Sequence, residues 1–161
     1  MGPGSWEFDP LKIYLACTVR GDRGAIPGLR ALAAALEADG HELLTTHLLA
    51  DDVEGAESRL TEREVYDRDV AWLDACDVLV ADASGSSFGV GFEVGYILGR
   101  SDRSGQRVLL LYRADRQPFI SRLIAGNSHP HCATIPYTDA SELAARVAPY
   151  LAGAHFPGAQ S

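Results

Sequence analysis

The sequence predicts a single-domain α/β fold, a doubly wound five-stranded parallel sheet of the Rossmann or flavodoxin-like type. Apolar, β-rich runs alternate with helical patterns along the chain, as expected for strands joined by crossover helices. The strand candidates are continuous apolar runs, which is typical of strands covered by helices on both faces. A chain of 161 residues, 47% of them hydrophobic, is long enough to bury a substantial core.

The predicted strands and helices follow one another in regular alternation. Strands are predicted at residues 13–16, 43–48, 78–81, 108–112 and 133–135. Helices are predicted at residues 29–38, 61–75, 92–98 and 141–151, with a short segment at 119–124. Residues 51–58 are acidic and weakly patterned, which predicts a loop that can move. Because ligands of such sheets bind at the carboxyl ends of the strands, the loops 18–24, 47–51 and 84–91 are expected to share one crevice.

Local signals mark the ends of two helices. Thr61 and Glu64 have the spacing of a capping box. Pro27 fits the first turn of the first helix, which Gly40 is expected to end. Residues 11–152 are expected to form the domain, with 1–10 a disordered or vector-derived segment and 153–161 a flexible tail.

The composition argues against several functional classes. A net charge of −8 and a pI near 5.0 disfavour nucleic-acid binding, which needs clustered Lys and Arg. The three cysteines are far apart and lack CxxC spacing, so they support neither a disulfide framework nor a zinc site and favour a reducing, cytoplasmic setting. No apolar run approaches the length of a membrane span. We therefore expect a cytoplasmic protein that binds a small molecule and needs no metal or other cofactor.

The most informative run is SFGVGFE, residues 87–93, which comes directly after a predicted strand. A glycine-rich strand-to-helix turn offers backbone N–H groups and a helix N-terminus to an anion. Glu93 lies one turn further along the chain. The run therefore predicts a phosphate site beside a reactive carboxylate, as in an enzyme that acts on a phosphorylated sugar. Ser87 also fits a plain helix cap, which is compatible with binding phosphate.

A second carboxylate, Asp69, lies on the apolar stripe of its predicted helix, four residues after Val65. An inward Asp equally fits a structural role, in which it caps a loop or pairs with an arginine. The functional interpretation is favoured because Glu93 belongs to the next βα unit and is expected at the same crevice. Glycosidic cleavage uses two carboxylates, one as nucleophile and one that orients sugar hydroxyls or handles protons.

Two arginines, Arg20 and Arg23, lie in the loop after the first predicted strand. Arginine suits bidentate phosphate binding, and Thr18 adds a hydroxyl nearby. We expect Arg20 to hold phosphate and Arg23, three residues away, to have a different role, with an exposed and idle Arg23 as the alternative. His47 ends the second predicted strand, where it can titrate usefully or serve the structure.

Glycines repeat on the helix that carries Glu93, at Gly91, Gly95 and Gly99. Glycine lowers helix stability, so this face is expected to permit close backbone approach, either to the sheet or to the same helix of a second subunit. His129 and His131 flank a proline without a third ligand in view, and we expect no metal there.

Three motifs in order carry a resemblance to a known family: IYLACTVRG at 13–21, DVAWL at 69–73 and SFGVGFEVG at 87–95. Together they resemble the 2′-deoxynucleoside 5′-monophosphate N-glycosidases, hydrolases related to the nucleoside 2-deoxyribosyltransferases. The resemblance covers about residues 12 to 150. A similar branch comprises the CMP and hydroxymethyl-CMP N-glycosidases of nucleoside-antibiotic biosynthesis. The resemblance implies a nucleoside deoxyribosyltransferase-like fold.

The resemblance also implies roles for individual residues. Glu93 matches the nucleophile and Asp69 the carboxylate that orients the sugar and handles protons. Tyr14 matches an active-site tyrosine and His47 a histidine near the base. The phosphate-binding set matches Thr18, Arg20, Ser87 and Gly89, with Ser121 resembling a serine that enters from the partner subunit of a homodimer.

The implied reaction is a double displacement, in which Glu93 attacks the anomeric carbon as the base leaves and water then releases the sugar phosphate. Where the family often has Gly-Ser, this chain has Cys17 and Thr18. Thr18 keeps the hydroxyl, whereas Cys17 is expected to narrow the space beside the sugar or base. Given this resemblance, Arg23 is expected to contact or gate the base. The crowding by Cys17 and the long Arg23 favours a CMP-type pyrimidine ribonucleotide or deoxyribonucleotide. Two alternatives stay open, a deoxyribosyltransferase that moves the sugar between free bases and a non-catalytic nucleotide sensor. The phosphate set argues against the first, and the paired carboxylates argue against the second.

Overall fold

Five parallel strands form the centre of the structure, a computed structural model that describes residues 9–153. The strands are β1 (Lys12–Ala16), β2 (Glu42–Leu43), β3 (Val78–Asp82), β4 (Arg107–Arg113) and β5 (Cys132–Tyr137). They pair in the order β2-β1-β3-β4-β5, and every pair is parallel. This is the flavodoxin-like order, with its switch point between β1 and β3. The predicted fold class is confirmed.

Helices cover both faces of the sheet. The α-helices are α1 (Ile26–Ala38), α2 (Val53–Glu57), α3 (Glu62–Ala75), α4 (Phe88–Leu98), α5 (Ser101–Ser104), α6 (Arg122–Ala125) and α7 (Leu143–Leu151). Short 3-10 turns occupy Thr46–Leu49, Ala114–Phe119 and Ala140–Glu142. The predicted capping box of Thr61 and Glu64 begins α3, Pro27 lies in the first turn of α1, and Gly40 follows that helix with φ +90°.

The two faces of the sheet have separate cores, and residue alternation along β1 assigns each side chain to one of them. Ile13 and Leu15 pack with α1 and α7, whereas Tyr14 packs on the face that α3 and α4 cover. All three are fully buried. Because successive side chains of a strand point to opposite faces, the identity of Tyr14 places a phenol under α4.

The predicted strand at 43–48 is mostly wrong, because only Glu42–Leu43 pairs with β1. The Thr45 hydroxyl accepts from the Leu15 N–H (2.8 Å) and donates to the Leu15 carbonyl (2.6 Å). A buried side chain thus takes the place of the backbone ladder, and the chain leaves the sheet for the 3-10 turn Thr46–Leu49. The apolar residues of that turn, Leu48 and Leu49, are buried without being in a strand.

Two further predictions of local structure are corrected. The expected loop at 51–58 contains α2, which Val53 anchors in the core. The helix expected from residue 92 begins at Phe88, capped by Ser87, whose hydroxyl accepts from the Val90 N–H. The glycines of its first turns lower helix propensity and concealed the earlier start.

The glycine face of α4 does not pack on the sheet. The helix buries Val90, Val94 and Ile97, whereas a Cβ built on Gly91 or Gly95 would meet nothing within 4 Å. The prediction that this glycine face lies close to the sheet is therefore wrong.

The terminal segments predicted at 1–10 and 153–161 lie almost entirely outside the described residues, so those predictions remain untested. Within 9–153, no helix is long and apolar enough to cross a membrane. Cys17, Cys76 and Cys132 are all free thiols and all buried.

Candidate active site

A cleft of about 990 Å³ opens beyond the carboxyl ends of β1 and β3. It lies at the switch point of the strand order, where sheets of this topology bind ligands. The loop after β1, the α2–α3 region and the β3–α4 turn supply its walls. Of the residues predicted for the site, those that line the cleft are Thr18, Arg20, Asp69, Ser87, Gly89 and Glu93.

Glu93, in the second turn of α4, presents its carboxylate to the cleft from above the sheet. The hydroxyl of Tyr14 donates a hydrogen bond of 2.6 Å to Glu93 Oε1. Tyr14 comes from the centre of β1 and is fully buried, so the sheet itself fixes the donor. A short bond from a neutral hydroxyl to a carboxylate both orients the carboxylate and stabilises its charge.

Burial raises the pKa of Glu93 to about 7, and the nearby charge of Asp69 acts in the same direction, whereas the Tyr14 hydrogen bond lowers it. Burial and the charge of Glu93 raise the pKa of Tyr14 far above its usual value, so the phenol remains a neutral donor. Near neutral pH, Glu93 is therefore partly ionised and weakly solvated, which suits a nucleophile at the anomeric carbon.

Asp69 reaches the same cleft from α3 and is held by the preceding residue on that helix. Arg68 contacts Asp69 Oδ1 at 2.8 Å and also binds both carboxylate oxygens of Glu57, at 2.9 and 3.3 Å. The structure thus combines the two interpretations of the inward Asp, because it pairs with an arginine and still lines the cleft beside Glu93.

The corner of the cleft at the start of α4 has the features of an anion site. The first N–H groups of a helix, here those of Phe88 and Gly89, have no acceptor within the helix. The Thr18 hydroxyl accepts from the Gly21 N–H at 2.8 Å, and its proton is free to point elsewhere. Arg20 lies at the exposed rim, 3.4 Å from Glu54, with 85% of its side chain accessible. These groups line the same cleft.

Two glycines let the loops of this corner touch. A Cβ at Gly85 would lie 2.2 Å from Thr18 Cγ2, and one at Gly21 would lie 2.4 Å from the Gly85 carbonyl oxygen. Ser86 has φ +52°, an uncommon conformation for a residue with a side chain, and its hydroxyl donates to the Phe119 carbonyl at 2.7 Å. Such conformations persist where surrounding contacts hold them, often at ligand sites.

Four predicted residues do not line this cleft: Tyr14, which reaches the site through its hydrogen bond to Glu93, and Arg23, His47 and Ser121, which lie elsewhere. Arg23 donates to the carbonyls of Thr18 (2.8 Å), Leu48 (3.1 Å) and Ala50 (3.0 Å), which ties the first loop to the 3-10 turn. His47 lies behind the cleft against Trp72, with ring centroids 5.4 Å apart. Ser121 is exposed at the start of α6 and does not line the cleft of its own chain.

Cys17 lines the cleft, and burial raises the pKa of its thiol to about 11. A thiol of this kind is protonated at neutral pH and is a poor nucleophile. Cys17 is therefore part of the cleft lining, and the expectation that it narrows the space beside the sugar or base stays a prediction.

Sequence reasoning missed Glu57 and Arg68. Glu57 lines the cleft from α2, within the segment interpreted as a mobile loop. Arg68 precedes Asp69, and on a helix neighbouring positions do not face each other, so its contact with Asp69 carries no periodic signal. The sequence pointed to Arg68 in one way only, through the alternative interpretation in which Asp69 pairs with an arginine.

In the described part of the chain, no group of three or more His, Cys, Asp or Glu side chains could hold a metal ion. The arrangement offers instead a half-buried carboxylate with a fixed hydroxyl donor, a second carboxylate in the same cleft, and the N-terminus of α4. Together these can support nucleophilic displacement on a phosphorylated sugar.

Comparisons with known proteins bear on the family and the enzyme class. A protein of Thermofilum pendens, provisionally named 2′-deoxynucleoside 5′-phosphate N-hydrolase 1, is 39% identical over 143 residues, covering 89% of this chain and 96% of that protein. The 5-hydroxymethyl-dUMP N-hydrolase of Danio rerio is 32% identical over 119 residues, covering 73% and 80% respectively. These relatives confirm the predicted enzyme class, an N-glycosidase.

A solved structure shows the same fold. The CMP N-glycosidase of Clostridium botulinum superposes with a TM-score of 0.62 at 19% identity, covering 86% of this chain and 98% of that one. The sequence model of the nucleoside 2-deoxyribosyltransferases matches residues 13–148. The predicted resemblance is therefore confirmed, and the chain belongs to the nucleoside 2-deoxyribosyltransferase family.

Proposed function

We propose that this enzyme hydrolyses the N-glycosidic bond of a nucleoside 5′-monophosphate, releasing the free base and a (deoxy)ribose 5-phosphate. One observation carries the proposal: the Glu93 carboxylate, bound by the buried Tyr14 hydroxyl at 2.6 Å, shares its cleft with the free N-terminus of α4. A nucleophile and an anion site on one helix match a substrate that carries its phosphate a few bonds from the reacting carbon.

In the proposed reaction, Glu93 forms a bond to the anomeric carbon while the carbon–nitrogen bond breaks and the base leaves with the electron pair and gains a proton. Water then attacks the same carbon, the glycosyl ester breaks, and Glu93 returns as a carboxylate. Tyr14 orients Glu93 in both steps. Asp69, across the cleft, hydrogen-bonds a sugar hydroxyl and handles protons.

The 5′-phosphate is proposed to occupy the corner made by Thr18, Ser87, Gly89 and the rim residue Arg20. The free N–H groups of α4 and the hydroxyls of Thr18 and Ser87 support this role. Phosphate binding gives affinity from a non-reacting part of the substrate, which can be used to orient the sugar at Glu93.

For the base, we propose a pyrimidine of the CMP type, as ribonucleotide or deoxyribonucleotide. Support comes from the Cys17 and Leu48 side chains, which line the cleft and take up space there. The named relatives act on 2′-deoxynucleoside 5′-phosphates and 5-hydroxymethyl-dUMP, and the structural neighbour acts on CMP. These names favour a nucleoside monophosphate as the substrate class.

A panel assay tests the proposal. The protein is incubated with CMP, dCMP, UMP, dUMP, GMP and dGMP, and the released base is separated by chromatography. We expect base release from at least one monophosphate and much slower release from the matching nucleoside. Equal kcat/KM for a nucleoside and its monophosphate, or transfer of the sugar to an added free base, would contradict the hydrolase and favour a transferase.

We also propose a homodimer in which Ser121 of one subunit completes the cleft of the other. Ser121 is exposed between Phe119 and Leu123, whose exposed fractions of 65% and 84% are high for apolar side chains. On α4, Phe88 is fully exposed and the Gly91 and Gly95 positions face open space. Exposed apolar surface of this extent is typical of an interface.

A further inference from the structure

Arg68 joins two acidic side chains from different helices at the wall of the cleft. Its guanidinium binds both oxygens of Glu57 on α2 and Oδ1 of Asp69 on α3. The three side chains are largely buried, with exposed fractions of 23% for Arg68, 17% for Glu57 and 25% for Asp69. A planar fork held at two edges leaves the guanidinium, and the carboxylates it binds, little rotational freedom.

Other contacts hold the same group from behind. The Arg68 guanidinium carbon lies 5.1 Å from the centroid of the Trp72 ring, and His47 packs against that ring. His47 Nε2 lies 3.4 Å from Glu57 Oε1. Burial and the charge of Arg68 lower the pKa of His47, so the imidazole is neutral at pH 7 and the positive charge at this place is that of Arg68.

The short helix α2 depends on this connection. A helix of five residues is not stable by itself, so its position is set by tertiary contacts. Buried Val53 fixes one end, and the Glu57–Arg68 pair fixes the other against α3. Glu57 therefore connects the α2 wall of the cleft to the residue next to Asp69.

We propose that Glu57 is a positioning residue for the reaction: through Arg68 it holds the Asp69 carboxylate in the orientation that the sugar of the substrate meets. The inference rests on the proposed function, which assigns Asp69 to the sugar. Both Glu57 oxygens are bound by Arg68, so Glu57 acts through that arginine rather than on the substrate. Small errors in the placement of such a group lower turnover strongly.

A double-mutant cycle on the full chain tests this inference. Glu57→Gln, Asp69→Asn and the double variant are assayed for base release from the best monophosphate of the panel. We expect Glu57→Gln to lower kcat by about tenfold to a hundredfold with little change in KM, since orientation and not affinity is lost. In the Asp69→Asn background, Glu57→Gln should change kcat by less than about twofold, because its target is gone.

The control is Asp67→Asn, which breaks the exposed Arg63–Asp67 pair (2.8 Å) on the same helix and should leave kcat unchanged. If Glu57→Gln folds poorly, Arg68→Lys takes its place in the test. This variant removes the two-sided bridge but keeps the positive charge, and it should show the same loss of kcat. Two outcomes would overturn the positioning role alone. In one, the loss of kcat in the double variant equals the product of the losses in the two single variants. In the other, Glu57→Gln changes the ranking of the bases. A wild-type protein that releases no base from any monophosphate would overturn the proposed function as well.

Discussion

Three effects act together on the Glu93 carboxylate: burial, a neighbouring charge and a fixed hydroxyl donor. The Tyr14 hydroxyl and the Asp69 charge shift its proton affinity in opposite directions, and burial dominates. A carboxylate that is ionised but poorly hydrated attacks carbon more readily than one in water. The chemistry at the residue scale thus follows from where β1 and α4 place two side chains.

Replacing Glu93 by Gln should lower base release by about a thousandfold or more, because the amide cannot form the glycosyl ester. The fold should be retained, since a neutral amide is easier to bury than a carboxylate whose pKa is raised to about 7. Base release and thermal unfolding are measured together. Wild-type turnover by Glu93→Gln would remove Glu93 from the mechanism.

Tyr14→Phe should move the acidic limb of the pH profile of kcat/KM to higher pH. The Tyr14 hydrogen bond lowers the pKa of Glu93, so its loss raises that pKa and activity appears only at higher pH. A bond of about 1 kcal/mol corresponds to a shift of roughly 0.5–1 pH unit.

The substrate phosphate also titrates, near pH 6. Its contribution is the same for both proteins and cancels in the comparison. The matched control is Tyr112→Phe, a buried tyrosine in the same core as Tyr14, which should leave the acidic limb in place. An unchanged limb in Tyr14→Phe would show that Glu93 ionisation does not control the rate.

At the scale of elements, the loop after β1 divides its two arginines between different tasks. Arg20 reaches the rim of the cleft, whereas Arg23 is bound by three carbonyls of the loop and the following 3-10 turn. The expectation that Arg23 contacts the base remains untested, but these contacts favour a structural role. The physical reason is that unpaired carbonyls of a buried loop need donors.

We therefore expect Arg23→Ala to lower the free energy of unfolding by about 2 kcal/mol, through the loss of charge-assisted hydrogen bonds. Its remaining activity should fall alike for CMP, dCMP, GMP and dGMP. Denaturant unfolding and the nucleotide panel measure the two effects. A changed ranking of bases at wild-type stability would return Arg23 to the base site.

Arg20→Ala is the matched comparison within the same loop. With 85% of its side chain exposed, Arg20 should contribute little to stability, and its loss should raise KM for the monophosphates by about tenfold. Hydrolysis of the corresponding nucleosides should not change. An equal effect of Arg20→Ala on nucleosides and monophosphates would exclude a phosphate contact.

At the scale of the whole molecule, one face of the domain carries aromatic side chains that the fold does not bury. The rings of Tyr66, Phe92 and Tyr96 follow one another across α3 and α4, with centroids 6.3 and 5.9 Å apart. Tyr66 and Phe92 are about half exposed, at 52% and 50%. This face adjoins the open glycine positions of α4, as expected for a subunit interface.

Phe92→Asp should convert the proposed homodimer to a monomer, because it places a charge in an apolar interface. Sedimentation velocity measures the mass, and the base-release assay measures the contribution of Ser121 from the partner. Ala34→Asp, exposed on α1 across the sheet, is the control and should stay dimeric. A wild-type monomer with full activity at micromolar concentration would exclude a partner-supplied Ser121.

The sequence by itself determined the parts of this protein that local chemistry encodes. Continuous apolar runs defined four of the five strands, the capping box of Thr61 and Glu64 defined the start of α3, and the run at 87–93 supplied Ser87, Gly89 and Glu93 to one cleft. Each is a pattern within one segment. The predicted family and enzyme class followed from the same motifs and are confirmed.

Only the tertiary structure decided which groups meet. The Thr45 hydroxyl that ends β2 binds a residue 30 positions away, and the Tyr14 hydroxyl binds Glu93, 79 positions away. Arg68 binds Glu57, which is 11 positions away on a separate helix. The same holds for Arg23, whose guanidinium meets carbonyls of another turn and not the cleft. No periodicity within a segment reports such contacts, because they depend on how the chain packs the two faces of the sheet.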